Sequence, residues 1–280
     1  MEQRLKMNRY KIALLSVCLN KDYHQYLSPM IESARKFLLK GSEIDFLVWT
    51  DMPPEIDLGK NVTKYPTEPM GWPAPTLFRY NLFLEQEEKL KEYDYVFYCD
   101  ADMLFVSRVG EEILGEGLTA AQHPMYALSQ EYIPPYEPNS KSTAYIPRPG
   151  KILEKGGKKK FQPYYYAGGF QGGRPEAWVK AMKEMKKNIE KDFAAGIENR
   201  EIQPGYISIW NDESHWNKYL FKNPPAVVLS PSYIYPDSLI KSYYQAKIWG
   251  RAYVPKLVTL TKKFSLSKEG GTALTQLLQK

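Results

Sequence analysis

The chain has 280 residues, 43% hydrophobic and 25% charged, a composition that excludes a disordered protein and suits one large α/β domain. Its net charge of +6 mildly favours anionic ligands, and no Lys/Arg cluster interleaved with aromatics marks a nucleic-acid groove, so nucleic acid is not an expected partner. Two cysteines, Cys18 and Cys99, make no disulfide framework, and no run of about 18 apolar residues marks a membrane span, so a reducing, cytoplasmic setting is expected.

In chain order, residues 10–19 (YKIALLSVCL) predict a buried strand. Ser28-Pro29 has the chemistry of a helix cap and first residue; Met30, Ala34, Phe37 and Leu38 keep helical spacing, and Gly41 stops the run. Residues 44–49 (IDFLVW) predict a second buried strand, residues 77–90 a helix and residues 95–106 (YVFYCDADMLFV) a third strand. This β-α-β-α-β order predicts an α/β fold, a Rossmann-like, mostly parallel sheet with helices on both faces, with ligands bound beyond the carboxyl ends of the strands. Residues 131–165, rich in Pro, Gly, Tyr and Lys, read as a functional loop that orders over a ligand. A helix is predicted over 175–193, with Trp178, Met182, Met185, Ile189 and Phe193 on its core face, and a shorter one over 212–221. Beyond about residue 241 the chain is basic and weakly patterned, which reads as a mobile tail. One domain is expected over 8–280, after an extension over 1–7.

Three segments carry chemistry. Asp100 and Asp102 interrupt an apolar strand, where an unpaired charge is costly. At positions i and i+2 of a strand both carboxylates face one side, an oxygen donor set suited to Mn²⁺ or Mg²⁺ bridging a diphosphate. A plain strand-ending turn is the alternative. Nucleotide-sugar glycosyltransferases carry Asp-X-Asp in this setting, and so do haloacid-dehalogenase-like phosphohydrolases. The latter carry it on the first strand, with Thr or Val where this chain has Leu104, and add a later pair of acids not found here. YYYAGGFQGG (164–173) combines glycines for close backbone approach with tyrosine faces for a sugar. WNDESHWNK (210–218) places Asp212 and Glu213 in the first turn of a helix, where free N–H groups favour ionised carboxylates, for catalysis or for the helix alone. His24 reads as a surface loop residue and His123 as a core histidine.

The succession DADM, HP, AYIP, YYYAGGFQGG, NDESHWNKYL and LSPSYIYP, over residues 11–263, resembles the retaining glycosyltransferases of family 6, the group of the histo-blood-group A and B transferases and the α1,3-galactosyltransferase. The short form is similar to bacterial members without a Golgi anchor. The resemblance implies a GT-A fold and transfer of galactose or N-acetylgalactosamine from a UDP-sugar to O3 of a β-galactoside, fucosylated blood-group-like glycans among them, with retention. By matching positions it implies that Asp100 and Asp102, with Ala101 between them, bind metal and UDP, and that Cys18, Leu19, Asn20 and Tyr23 hold uracil and ribose. Trp72 and Arg79 then stand near the donor, and Ala167, Gly168 and Gly169 line the donor-sugar pocket. His123, Trp210, Asp212 and, with a one-residue shift, Asp237 surround the two sugars; Glu213 is the central carboxylate; Lys262 or Lys263 closes on the diphosphate. Many bacterial members carry asparagines in place of the acid pair and need no metal; this chain keeps the acids, so Mn²⁺ dependence is expected. Gly169 is expected to leave room for an acetamido group, favouring UDP-N-acetylgalactosamine. Two departures bear on the acceptor: Pro135 stands where blood-group enzymes carry a contacting threonine, and loop 148–162 is longer. A non-catalytic sugar-nucleotide-binding protein is the alternative from another class, disfavoured by the presence of Asp100, Asp102 and Glu213 together.

Overall fold

A computed structural model describes residues 10–126, 134–147, 165–196, 208–240, 247–248 and 251–261. Seven strands form the main sheet: β1 (Lys11–Cys18), β2 (Glu43–Thr50), β3 (Val62–Pro66), β4 (Tyr95–Cys99), β6 (Leu118–Gln122), β7 (Tyr166–Gly173) and β8 (Val227–Leu229). Their order is β3-β2-β1-β4-β7-β6-β8. Every neighbouring pair is parallel except the two that β7 makes, so β7 is the single reversed strand of a mostly parallel sheet. This is the expected α/β, GT-A-like architecture.

Alternation along the strands feeds a core on each face. Ile12, Leu14, Phe46 and Phe97 meet Leu27, Met30, Ile31 and Ala34 of helix α1 (Lys21–Phe37). Ala13, Leu15 and Trp49 face the other way, toward Tyr80 and Phe83 of α3 (Arg79–Leu84), Trp178, Met182, Met185 and Ile189 of α5 (Pro175–Ala194), and Trp216 of α6 (Asn211–Lys222). Phe193, expected in that stripe, is exposed and meets Phe78 edge-on. Among the described residues no helix is long and apolar enough to cross a membrane.

Several elements depart from the reading of the sequence. α1 begins at Lys21, so Pro29 lies inside it rather than at its start. The chain turns directly out of β1 at Asn20, whose φ of 74° makes the corner, and the buried face of the helix outweighs the one bond that proline removes. Residues 77–90 are not one helix. Phe78 and Gln86 leave helical geometry and divide the stretch among α2 (Ala74–Leu77), α3 and α4 (Glu87–Leu90).

Residues 95–106 are not one strand: the chain turns at residues 100–102, and β5 (Met103–Phe105) leaves for a second sheet, with β9 (Tyr235–Pro236) and β12 (Leu257–Thr259). A small hairpin, β10 (Lys247–Ile248) with β11 (Arg251–Ala252), precedes β12. Of the segment read as a tail, the described residues 253–260 pack on the body of the protein, with Leu257, Val258 and Leu260 buried. The loop over 131–165 is described only in part. Residues 134–147 are fastened by Glu137, which accepts from the Ile209 N–H at 2.6 Å, and by Asp192, which accepts from Ser142 Oγ at 2.6 Å. Residues 127–133 and 148–164 lie outside the described residues.

Candidate active site

The carboxyl ends of β1 and β4, the start of β7 and the first turn of α6 converge on one cavity of about 680 Å³, where an open α/β sheet places its ligands. Leu19, Asn20, Tyr23, Trp72, Arg79, Asp100, Ala101, Asp102, His123, Gly168, Gly169, Trp210, Asp212 and Glu213 all line it.

The β1 end is held by Asp51, whose two carboxylate oxygens accept from the Asn20 N–H at 3.0 and 3.1 Å. His24 approaches Asp51 Oδ1 at 2.7 Å, so it is a buttress within α1 rather than a surface loop residue. At the end of β4, Asp100 Oδ1 accepts from the Tyr98 hydroxyl and, at 3.5 Å, from Arg79 Nη1. Arg79 is buried, lies 4.4 Å above the Tyr98 ring and donates to Asp212 Oδ1 at 3.0 Å. One guanidinium therefore joins two carboxylates from different elements, the end of β4 and the first turn of α6.

Strand β7 bulges here. Ala120 pairs with Gln171 and Gln122 with Tyr166, which leaves residues 167–170 opposite Ala121 alone. The bulge frees Gly168 to donate its N–H to Glu213 Oε2 at 2.8 Å, while Gly169 C=O accepts from the Asp100 N–H at 2.9 Å. Bulges beside functional sites re-aim the chain in this way. A Cβ on Gly169 would lie 2.6 Å from Asp100 Oδ2. A side chain there would have to displace that carboxylate, which lines the cavity. Gly172 and Gly173 answer to the sheet: a Cβ on either would lie 2.2 Å from Val96 O or 2.1 Å from Gly117 O.

Burial pushes the Asp212 carboxyl up to about 6, against the pull of Arg79. Burial likewise pushes Glu213 up to about 7, against the Gly168 N–H. Enclosure outweighs the helix N-terminus expected to keep Glu213 ionised. Glu213 is half-buried and still opens partly onto the cavity. Burial pushes His123 down to about 4. Its Nδ1 accepts from the Met125 N–H at 3.2 Å, which assigns the proton of the neutral ring to Nε2.

Of the remaining candidates, Cys18 and Ala167 are buried behind the cavity wall. Burial pushes the Cys18 thiol up to about 12, so it is inert. Asp237 does not line the cavity; its Oδ2 accepts from the Thr261 N–H at 2.9 Å and fixes the residue before Lys262 and Lys263. Both lysines lie outside the described residues. Tyr98, Tyr126, Asn211 and Pro75 also line the cavity; of these only Tyr98, on the same strand face as Asp100, carried a sequence signal. Asp100 and Asp102 supply hard oxygens. Among the described residues no three or more acids, histidines or cysteines gather to hold a metal ion. Oxygen donors of this kind suit a hard divalent cation.

The family profile described as Glycosyltransferase family 6 matches residues 1–260. The chain belongs to glycosyltransferase family 6. Within that family, Histo-blood group ABO system transferase 1 of Rattus norvegicus is 32% identical over 249 residues, 86% of this chain and 65% of the relative. Histo-blood group ABO system transferase 2 of the same species is 31% identical over 81% of this chain and 64% of the relative. Globoside alpha-1,3-N-acetylgalactosaminyltransferase 1 of Homo sapiens is 29% identical over 77% of this chain and 58% of the relative. The family 6 chain described here thus spans less than two thirds of the length of these relatives.

Proposed function

We propose that this chain is a retaining α1,3-glycosyltransferase that moves galactose or N-acetylgalactosamine from a UDP-sugar to O3 of a β-galactoside. One observation carries the reading: a single cavity joins the Asp100–Asp102 turn to a half-buried Glu213, with Arg79 paired to both Asp100 and Asp212. Leu19, Asn20 and Tyr23, with Cys18 behind them, take uracil and ribose. Asp100 and Asp102 would hold Mn²⁺ or Mg²⁺, which when bound offsets charge on the diphosphate as UDP leaves.

The donor sugar then lies over Gly168 and Gly169, with Ala167 supporting them, and Asp212 orients its hydroxyls. Glu213 faces an oxocarbenium-like centre, as a covalent nucleophile or as a charge that stabilises same-face attack. Trp72 and Arg79 stand near the donor, while the exposed face of Trp210 and the Nε2–H of His123 receive the acceptor. Pro135 also lines the cavity and has no side-chain group to hydrogen-bond the acceptor. Asp237 holds Thr261, and Lys262 or Lys263 closes on the diphosphate.

The test is a matrix of UDP-sugars against β-galactosides, fucosylated and not, read as UDP release and product linkage. UDP-galactose or UDP-N-acetylgalactosamine should release UDP faster with a β-galactoside present and give an α1,3 product. Free phosphate release instead would point to the phosphohydrolase alternative. Binding of UDP-sugars with no turnover would return the chain to a binding role.

Metal dependence is a separate expectation. EDTA should abolish transfer and Mn²⁺ should restore it. By calorimetry Asp102→Asn should weaken UDP binding in Mn²⁺ and leave it unchanged in EDTA. Full transfer by extensively chelated protein would refute the metal role.

A further inference from the structure

Glu213 depends on a backbone group, the Gly168 N–H, that lies in a bulge outside the regular ladder. Glycine restrains its own φ and ψ poorly, so something else must aim that N–H. Two buried side-chain amides occupy the place. Gln171 Nε2 donates to Gly168 C=O at 2.8 Å, and its Oε1 faces the Tyr80 hydroxyl at 3.5 Å, itself 3.4 Å from Asp212 Oδ2. Asn217 Oδ1 accepts from the Tyr166 N–H at 2.9 Å, while Nδ2 donates to Tyr166 C=O at 2.8 Å and to Glu213 C=O at 2.9 Å. Gln171 thus fixes the peptide after the Gly168 Cα, and Asn217 fixes the chain before it to the helix turn that carries Glu213.

We propose that Gln171 and Asn217 are positioning residues that hold the Gly168 N–H on the Glu213 carboxylate. The inference rests on the glycosyltransferase reading for its consequence in turnover and on geometry alone for the contact. The other groups facing Glu213 are Asp212 beside it, Asp100 from the β4–β5 turn, and Tyr165 and Tyr126, with Arg79 paired to both aspartates.

The experiment uses full-length protein labelled with ¹⁵N-glycine. The Gly168 amide signal is assigned by its loss in Gly168→Ala, whose methyl meets only ordinary contacts. In wild type that amide should move with pH as Glu213 titrates, and it should stop moving in Glu213→Gln. In Gln171→Met and Asn217→Asp the movement should shrink. The kcat for transfer should fall roughly tenfold or more, the scale of a misplaced group, with Kd for UDP held within about twofold because its site is separate. A wild-type Gly168 amide blind to pH and to Glu213→Gln overturns the proposal without any further variant. So does a folded Gln171→Met that keeps both the movement and wild-type kcat. A Gly168 amide that titrates in a protein with no transferase activity overturns the functional reading and leaves the positioning role standing.

Discussion

Glu213→Gln should lower transfer by roughly a hundredfold or more, the scale of losing a preorganised electrostatic group, while leaving UDP affinity within a few-fold. The substitution keeps the shape of the side chain and its acceptor for the Gly168 N–H, and removes only the charge. That charge opposes the positive carbon, which exists only in the transition state, so its loss falls on turnover rather than on binding. The nucleotide is held elsewhere, at the β1 end and the Asp100–Asp102 turn. A rate assay beside calorimetry of UDP in Mn²⁺ separates the two. Near-normal turnover would return Glu213 to the role of a helix-terminal acid.

The protonation of Glu213 adds a signature. Burial raises its pKa to about 7 from 4.5, so the carboxylate becomes the majority form only above neutrality, and kcat should rise with pH through that region. The linked effect on stability has a definite sign. A carboxyl whose folded pKa lies above its unfolded value favours folding while protonated, below about 4.5, and loses that stability as pH rises through 7. Glu213→Gln should therefore match wild type in thermal stability near pH 4.5 and exceed it near pH 8 by about 1–3 kcal/mol, the upper end being the full shift and the lower allowing for cavity water.

The strands that carry this site were legible where burial is complete. β4 is an unbroken apolar run, β1 and β2 are apolar over most of their length with Ser16 and Asp45 as interruptions, and the order of the three predicts the sheet. β7 was not, because its ladder is built from glycines whose reason is contact with Val96 and Gly117, partners remote in sequence. The turn at Asp100–Asp102 hides for the opposite reason. Met103, Leu104 and Phe105 continue the apolar run but belong to a different sheet, completed by Leu257, Val258 and Thr259 from far along the chain. The same limit applies to chemistry. Asp100, Asp102 and Glu213 announce themselves as acids in apolar or helix-starting settings. Asp51, Gln171 and Asn217 act by holding backbone, a role that no residue type or spacing advertises.

Arg79→Met should be the most damaging change to the protein itself. Arg79 is 5% exposed and bonds Asp212 Oδ1 at 3.0 Å, Asp100 Oδ1 at 3.5 Å and Thr76 C=O at 3.1 Å. Methionine fills much of the volume and supplies no charge, so Asp212 is left buried without its counter-ion. Breaking one partner of a buried pair costs about 3–5 kcal/mol, which for a chain of this size is a fall in Tm of roughly 5–9 °C. The loss has a pH signature. The Asp212 carboxyl, at about 6 beside Arg79, rises further without it and can fold protonated, so the deficit should be small near pH 5 and grow toward pH 8. Arg79→Lys keeps a positive charge, but a single ammonium cannot fork to two carboxylates and a carbonyl. It should recover much of the stability and little of the transfer, because Asp100 and Asp212 would no longer be held at a fixed separation by one guanidinium. Melting curves at both pH values beside transfer assays decide the matter. An Arg79→Met protein that melts within 2 °C of wild type at pH 8 would show that Asp212 does not carry its charge against Arg79 in the folded state.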